Sequence, residues 1–508
     1  MRFTYFMIDT DLYKAKELYP FQADTVQQVL SEFRNNPQPF NLLYQLPTGG
    51  GKTVIFSAIA KHFMEEWKKR VLILTHRIEL SIQTSHQLLA IGVPNKIINS
   101  GVKTIEDQED CDCYIAMVET LNNRLQDNQH FIEDVGLVIV DEAHYNSFRK
   151  IFQYYKSSSI LGVTATPLSS NKALPLKDHY QKLINGESIK GLIELGYLAD
   201  AETYNYDVNL HGLKIGNNGD FTVSSSDIVF SNYFMQEKLL FAYEEVALKT
   251  KTLIFNAGIE TSIQVFELFK KHKYNVRHLD STMADKERKD ILSWFKKTPD
   301  AVLTSVGILT TGFDEPTVKT IIINRATRSL TLYHQMIGRG SRKIPGKDTF
   351  QVIDLGNNVR RFGFWQDHVN WQDAFRFPDR FLESRISELE DLEFEVEFDF
   401  PKGYEKFLDI EILNTFNMKE NYYECLDAGI KGKLAVENSL NNHFEAIVAK
   451  NSHQEEALRC LEMLQEHINH RLKNYTRCIS KSTENYLKYL VETYNRQLGQ
   501  RLRMHFND

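Results

Sequence analysis

The sequence predicts an α/β protein with two successive parallel-sheet lobes and a mostly helical C-terminal region. Short runs of aliphatic and β-branched residues alternate with longer helical patterns up to about residue 365. Strands that are apolar throughout are typical of parallel sheets covered by helices on both faces. The length of 508 residues also exceeds one ordinary hydrophobic core. The clearest predicted strands are residues 71–74, 137–140, 160–163, 252–255, 301–304 and 320–323.

The order of these patterns divides the chain into four predicted parts. The first lobe covers residues 1–203 and the second covers residues 233–365, with a polar linker between them at residues 204–232. Residues 366–508 form an accessory domain that is mainly helical, because Gly and Pro are nearly absent beyond about residue 437. Within it, residues 392–400 alternate strictly between apolar and acidic residues, which predicts a strand with an acidic face.

The composition is that of a packed globular protein. Apolar residues make up 42% of the chain and charged residues 25%, which excludes a disordered or fibrous protein. The formal net charge is -7. A protein that binds nucleic acid must present positive charge to the phosphates, so any such surface has to be local in this chain.

Cysteine usage and hydropathy favour a cytoplasmic protein without a membrane partner. The five cysteines form no paired clusters, as expected of free thiols in a reducing compartment. Cys111 and Cys113 are two residues apart but have no second Cys or His pair nearby, which disfavours a zinc site. The chain contains no apolar stretch of membrane-spanning length, and its first residues lack the apolar run of a signal peptide.

A glycine-rich turn after the first predicted strand indicates a phosphate site. Its backbone N–H groups can close around phosphate oxygens, at the N-terminus of the helix that follows. Lys52 supplies charge to the terminal phosphates of ATP, and the Thr53 hydroxyl can bind Mg²⁺. A plain glycine turn is the alternative. The predicted nucleotide-binding residues of this segment are Pro47, Thr48, Gly49, Gly50, Gly51, Lys52 and Thr53.

Two carboxylates follow the strand at residues 137–140. Asp141 at the strand tip can bind Mg²⁺ through water. Glu142, one residue later, can act as the general base that activates the attacking water. A solvated turn would have the same local sequence, but the phosphate turn about ninety residues upstream favours a catalytic pair.

A third element, at residues 335–342, carries two arginines. Arg339 and Arg342 are three residues apart, so we expect both on one helical face. From a second lobe, two guanidiniums can complete an ATP site and stabilise the charge that builds on the γ-phosphate. By itself, this segment would also suit a basic surface turn.

These three elements, in this order, resemble those of superfamily 2 helicases of the DEAH type. The resemblance covers about residues 15–360 and is closest to the bacterial RadD-like and restriction-helicase (ResIII) group. It implies two tandem RecA-like lobes and an ATP-dependent helicase or translocase that requires Mg²⁺. RadD proteins carry a cysteine-rich zinc module after the motor, and the last 140 or so residues of this chain contain no such cluster.

The resemblance also implies roles for residues outside the three elements. In the nucleotide site, Gln22 would read adenine, Gly312 would contribute to nucleotide binding, Asp314 would lie near the ribose, and Gln335 would join the two arginines in catalysis. Coupling of hydrolysis to lobe movement would involve His144, Thr164 and Thr166. The residues implied along the nucleic-acid path are Thr75, His76, Arg77, Thr120, Asn256 and Thr304.

The residues leave several functions open. DNA is favoured over RNA by the family resemblance alone, and the biology would be repair, recombination, phage or defence. The alternatives are an RNA helicase and a partner-dependent ATPase subunit of a restriction or defence complex, with the C-terminal domain as a possible docking surface for a protein. Basic and aromatic residues near the C-terminus suit either a nucleic-acid platform or an ordinary helical bundle with its tyrosines inward and its cations solvated, and we favour the bundle.

Overall fold

The computed structural model describes residues 17–102, 105, 111–171, 173–216, 219–310, 313–385, 395–396, 400, 403–479 and 484–507. The chain forms two compact units. One comprises Met1–Leu213 with Gly219–Ser387, and the other comprises Lys214–Asn218 with Glu388–Asp508.

The first unit begins with a seven-stranded parallel sheet in the order β3-β4-β2-β5-β6-β1-β7. Its central strands are almost entirely buried, as expected for a sheet with helices on both faces. The strands are β1 (Asn41–Gln45), β2 (Arg70–Thr75), β3 (Asn95–Ile98), β4 (Cys113–Met117), β5 (Val135–Asp141), β6 (Ser159–Thr164) and β7 (Lys182–Asn185). The helices are α1 (Pro20–Asn35), α2 (Lys52–Trp67), α3 (Ile78–Ala90), α4 (Val118–Asp127), α5 (Arg149–Phe152) and α6 (Ile189–Glu194).

A second parallel sheet of six strands has the order β10-β11-β9-β12-β13-β8. Its strands are β8 (Asp200–Asn205), β9 (Thr252–Asn256), β10 (Val276–Leu279), β11 (Val302–Ser305), β12 (Thr320–Asn324) and β13 (Thr349–Asp354). Its helices are α7 (Val223–Phe230), α8 (Tyr233–Ala242), α9 (Ile259–Lys271), α10 (Asp285–Lys297), α11 (Leu330–Ile337) and α12 (Asn358–Phe362). Together the two sheets form the predicted pair of RecA-like lobes.

Strand β8 belongs to the second sheet, although it begins before the predicted linker and ends within it. It pairs in parallel with β13, from Asp200 opposite Thr349 to Asn205 opposite Asp354. The predicted boundary at residue 203 therefore falls inside a strand of the second lobe. The chain crosses between the sheets near residue 199.

After the second sheet, the chain returns to the first lobe. Helices α13 (Trp371–Arg376) and α14 (Pro378–Arg385) belong to the first unit, although the predicted accessory domain begins at residue 366. Gln372 Nε2 donates to the carbonyl of Leu183 in β7 at 3.0 Å, and Lys177 Nζ donates to the carbonyl of Arg376 at 3.1 Å. Buried Trp371, Phe375 and Phe381 join the core of this unit.

The second unit is a helical bundle. Its helices are α15 (Ile410–Asn414), α16 (Met418–Asp427), α17 (Leu434–Val448), α18 (Gln454–Met463), α19 (Gln465–Arg477) and α20 (Glu484–Asn507). Of the predicted acidic strand, only Glu395–Val396 and Phe400 are among the described residues, and Glu395–Val396 pairs in parallel with Lys214–Ile215. Within the described parts of the chain, no helix combines the length and hydrophobicity needed to cross a membrane.

A buried polar network lies inside this bundle. His443 on α17 contacts the Tyr494 hydroxyl through Nδ1, and its Nε2 lies 3.0 Å from Nδ1 of His467. Arg471 donates to the Leu413 carbonyl at 2.6 Å and to Asn442 at 2.9 Å. Tyr494 is therefore a core residue, as the bundle interpretation predicts, whereas the burial of Arg471 contradicts the solvated cations of that interpretation.

The two buried histidines make the bundle sensitive to acid. Burial lowers the pKa of His467 to about 2 and that of His443 well below its ordinary value. Both imidazoles thus stay neutral in the folded unit but take up protons in the unfolded chain below its ordinary pKa of about 6.5. We expect the free energy of unfolding of the bundle to be fully present above that pH. It should fall by about 2 kcal/mol per histidine between pH 6.5 and pH 5.

Hydrogen exchange of α17, corrected for the intrinsic rate at each pH, measures this loss. His467→Asn should roughly halve the pH dependence, whereas His453→Asn, at an exposed site, should leave it unchanged. Equal protection of α17 at pH 6.5 and at pH 5 would contradict the assignment of this pH dependence to the buried histidines.

Candidate active site at the phosphate loop

The loop between β1 and α2 has the backbone of a phosphate cradle. Gly49 and Gly51 have φ angles of +94° and +89°, which residues with a side chain rarely adopt. A Cβ atom on Gly51 would lie 2.5 Å from Gln22 Nε2. Helix α2 begins at Lys52, so the free N–H groups of its first turn follow the loop directly.

Gln22 connects this loop to the start of α1. Its Oε1 accepts from the Tyr19 backbone N–H at 3.0 Å, and its Nε2 donates to the Gly50 carbonyl at 3.3 Å. The Tyr19 ring packs against Tyr197 with 4.2 Å between the ring centroids. The predicted adenine reader therefore lies beside an aromatic pair and also supports the phosphate loop.

The carboxylate pair occupies the end of β5. Asp141 and Glu142 are both buried, and Glu142 has a φ of +54°, a strained conformation for a residue with a long side chain. Burial and the neighbouring Glu142 raise the pKa of Asp141. Burial acts in the same direction on Glu142, but the Lys52 ammonium and His144 hold the pKa of Glu142 below its ordinary value.

These charges fit a divalent cation. Burial lowers the pKa of Lys52, while the two carboxylates favour its charged form. Burial and the neighbouring Glu142 disfavour the ionised form of Asp141, and a cation beside this carboxylate would offset both effects. Mg²⁺ is commonly held by one or two protein oxygens together with phosphate oxygens and water, and Thr53 and Asp141 can provide those protein ligands.

A chain of polar contacts runs from Glu142 into the second lobe. His144 Nδ1 lies 3.3 Å from Glu142 Oε2 and 3.1 Å from Thr164 Oγ1, and Gln335 Nε2 lies 3.5 Å from His144 Nε2. Thr166 Oγ1 donates to Thr331 Oγ1 of α11 at 2.9 Å. The predicted coupling residues thus lie between the carboxylate pair and the second lobe.

Arg339 and Arg342 do not share a helical face, so that prediction is wrong. Helix α11 ends at Ile337 with Gly338 as its C-cap, and Arg342 forms an antiparallel bridge with Leu198. A Cβ on Gly338 would lie 2.7 Å from the Thr48 Cβ, which shows how closely this turn approaches the phosphate loop.

The two arginines have different partners. Arg339 donates to the carbonyls of Phe313 at 2.6 Å and Thr310 at 2.8 Å. Arg342 donates through Nη1 to the Gly49 carbonyl at 3.0 Å and through Nε to Asp314 at 2.8 Å. Arg342 therefore reaches the phosphate loop of the other lobe. Gly312 lies outside the described residues.

The predicted nucleic-acid residues differ in accessibility. Thr75 and Thr304 are fully buried, with their hydroxyls bonded to Ser81 and Ser262, and Asn256 donates to Thr304 at 2.8 Å. These three positions offer no exposed side chain. His76, Arg77 and Thr120 are only partly buried.

Sequence reasoning missed three residues that complete this arrangement. The Tyr145 ring contacts the rings of both His76 and His144 at tilted angles, with centroid distances of 4.6 and 4.2 Å, and so connects the predicted nucleic-acid segment to the carboxylate pair. Thr331 lies four residues before Gln335, a helical spacing that could have identified it. Nothing in the residue pattern marks Tyr197 as a partner of Tyr19.

Comparison with known protein families divides the chain as the two sheets do. Residues 15–169 match the family described as "Type III restriction enzyme, res subunit", and residues 235–343 match the helicase conserved C-terminal domain.

Curated relatives match about two thirds of the chain. The protein named as the ATP-dependent helicase IRC3 of Saccharomyces cerevisiae is 30% identical over 364 residues, which are 68% of this chain and 52% of the relative. The 51.5 kDa protein of a Lactococcus phage is 28% identical over 66% of this chain and 69% of its own length. The type I restriction enzyme EcoAI endonuclease subunit of Escherichia coli is 23% identical over 67% of this chain and 46% of the relative. The chain thus spans about half the length of two of these relatives.

Two solved structures share the fold. A fragment of an HsdR subunit of a type I restriction enzyme from Vibrio vulnificus YJ016 has a TM-score of 0.53 at 22% identity, covering 70% of this chain and 67% of the fragment. The type ISP restriction-modification enzyme LlaBIII, bound to DNA, has a TM-score of 0.50 at 14% identity, covering 97% of this chain and 42% of that enzyme.

Because Gly338 lies so close to Thr48, we expect the methyl group added by an alanine at this position to destabilise the first unit. Gly338→Ala should push α11 away from the phosphate loop, because the new Cβ would also lie 3.0 Å from the His334 carbonyl. Overpacking of this kind costs about 1–3 kcal/mol. Tryptophan fluorescence during thermal unfolding reports it, since Trp67, Trp294, Trp365 and Trp371 all lie in the first unit. Gly101→Ala, at an exposed turn, is the control, and an unchanged melting temperature for Gly338→Ala would contradict the contact.

Proposed function

Because the chain belongs to the superfamily 2 helicases, in the group that contains the restriction helicases, we propose that it is an ATP-dependent translocase or helicase acting on DNA with little sequence specificity. One observation carries the proposal. Arg342 of the second lobe donates to Gly49 of the phosphate loop in the first lobe. A nucleotide at this loop would therefore be contacted from both lobes.

In the proposed reaction, each polar group of the site has one task. The N–H groups of the loop and Lys52 bind the phosphates of ATP, and Gln22 holds the loop while it contacts the adenine. Glu142 accepts the proton of the attacking water. Arg342 and Arg339 stabilise the charge that builds on the γ-phosphate. Mg²⁺ held by Thr53 and Asp141 would neutralise charge on the phosphate oxygens.

Hydrolysis can be coupled to movement because the γ-phosphate would be shared between the lobes. The contacts from Glu142 through His144 to Gln335, and from Thr166 to Thr331, lie across the same junction. Loss of the shared phosphate would weaken the closed arrangement, so the lobes would move against a strand bound to both. Contacts to the backbone of that strand position it without reading its sequence.

The names of several relatives support DNA as the substrate. They include the DNA helicases RecG of Synechocystis and uvsW of phage T4, and two type I restriction endonuclease subunits. The restriction subunits also support a second candidate, a motor that works only within a larger complex.

Hydrolysis measurements with different nucleic acids test the substrate class. We expect the ATPase rate of the purified protein to rise with single-stranded, duplex or branched DNA, and to rise less with RNA, at stated salt. Stronger stimulation by RNA would overturn the choice of DNA. ATP binding without stimulation by any nucleic acid would favour the partner-dependent subunit.

The general-base assignment is tested at Glu142. Glu142→Gln should lower the ATPase rate by about 100-fold or more while nucleotide binding persists, because the amide cannot accept the proton from water. Lys52→Ala should instead weaken nucleotide binding. Glu65→Gln, at an exposed position on α2, serves as the matched control. Wild-type turnover in Glu142→Gln would remove Glu142 from this role.

The hydroxyl pair between the lobes predicts a double-mutant result. Thr166→Val and Thr331→Val should each lower the nucleic-acid-stimulated ATPase rate by about 2- to 10-fold, the worth of one hydrogen bond. Because both remove the same bond, the double variant should be no slower than the worse single variant. Fully additive losses would show that the two residues act separately.

A further inference from the structure

Lys347 is a lysine buried in the second lobe, beside the segment that carries Arg342. Its side chain is only 3% exposed. The ammonium donates to the carbonyls of Pro316 at 2.9 Å, Gly340 at 2.7 Å and Arg342 at 2.9 Å. A lysine ammonium has three N–H donors, and here all three are used on backbone oxygens.

The local sequence explains how this side chain is placed. Residues 344–347 read Ile-Pro-Gly-Lys, and Gly346 has a φ of +78°, as a type II turn requires at its third position. The Lys347 N–H donates to the Ile344 carbonyl at 3.0 Å, which closes the turn. The turn reverses the chain, so Lys347 faces the backbone just traversed at Gly340 and Arg342.

The three carbonyls are distributed over the two segments that hold the Arg342–Asp314 ion pair. One is the carbonyl of Arg342 itself, and another is that of Pro316, two residues after Asp314. Because α11 ends at Ile337, no helix fixes the backbone at Arg342. Its other backbone supports are the bridge to Leu198 and the bond from the Ala199 N–H to the Ser341 carbonyl.

We propose that Lys347 is a positioning residue for ATP hydrolysis, which holds the backbone of Arg342 and of the Asp314 segment at the distance that lets the Arg342 guanidinium reach the phosphate loop. This role rests on the proposed function. Lys347 acts through Arg342 and does not contact the nucleotide. Arginine cannot replace it, because a planar guanidinium does not direct three donors to three carbonyls as an ammonium does.

The Lys347 ammonium can lose its charge at mildly alkaline pH. Burial and the Arg342 guanidinium lower the pKa of Lys347 to about 8, with Glu315 and Asp314 opposing and Lys319 adding to the effect. The protonated form, with three donors, predominates below that pH. Above it the amine keeps two N–H donors and no charge, so one carbonyl loses its partner.

The effect of removing the ammonium can be measured with Lys347→Met, which keeps the length of the side chain. We expect kcat for ATP to fall by about 10- to 100-fold, the usual result of a small misplacement of a catalytic group. The dissociation constant and the stoichiometry for a fluorescent ATP analogue should change by less than about threefold. A variant that had merely unfolded would lose binding stoichiometry and kcat together. Lys347→Arg should not restore kcat, and Lys343→Met, in the same hairpin but paired with Asp348, is the matched control.

A pH profile of the unmodified protein tests the same role without any substitution. The kcat should decline above a pH of about 8, and Lys347→Met should lack this decline. A kcat for Lys347→Met within twofold of wild type, with the same alkaline profile, would overturn the role of Lys347 alone. Absence of ATP hydrolysis by the unmodified protein with every nucleic acid would overturn the proposed function and this role with it.

Discussion

The contact between Arg342 and the Gly49 carbonyl brings three distant parts of the chain to one point. Gly49 belongs to the phosphate loop of the first lobe, Arg342 follows the last helix before β13, and Leu198 lies where the chain crosses between the sheets. A Cβ on Gly49 would lie 2.7 Å from Leu198 Cδ2, so the contact depends on a glycine at that position. The bond between Thr166 and Thr331 and the approach of Gln335 to His144 occur across the same junction. Both require that the two lobes be this close.

Much of the first lobe and its site could be predicted because the signals are local. A buried parallel strand has to be apolar throughout, and a phosphate loop needs glycine, lysine and threonine in a fixed order. Asp141 and Glu142 follow from the end of such a strand. Strand β8 was missed as part of the second sheet because its sequence, Asp-Ala-Glu-Thr-Tyr-Asn, has mixed polarity. Only its pairing with β13 assigns it.

The positions of the two arginines could not be derived from spacing. Two residues that are three positions apart share a helical face only where the helix continues through both, and α11 ends before Arg339. Lys347 illustrates a related limit, since a buried lysine is rare and no periodicity indicates one. Its partners are backbone carbonyls, which carry no signature in the residue types. Tertiary contacts of this kind become visible only in the folded structure.

The helical unit shows that a count of basic residues overestimates the charge offered to a ligand. Arg471 is 4% exposed, and its guanidinium is used within the bundle on Leu413, Asn442 and Ser439. Tyr475 and Tyr494 are likewise core residues. Exposed cations on α20, such as Lys488 and Arg496, remain available, but they form a smaller set than the sequence suggests.

Helices α13 and α14 give the two lobes a second covalent connection. The chain leaves the first sheet near residue 199, completes the second sheet, and then packs Trp371, Phe375 and Phe381 back into the first unit. The second lobe is thus connected to the first at both of its ends, near residue 199 and between Phe362 and Trp371. Any movement of the second lobe against the first would have to preserve both connections, and the segment between Phe362 and Trp371 would limit its extent.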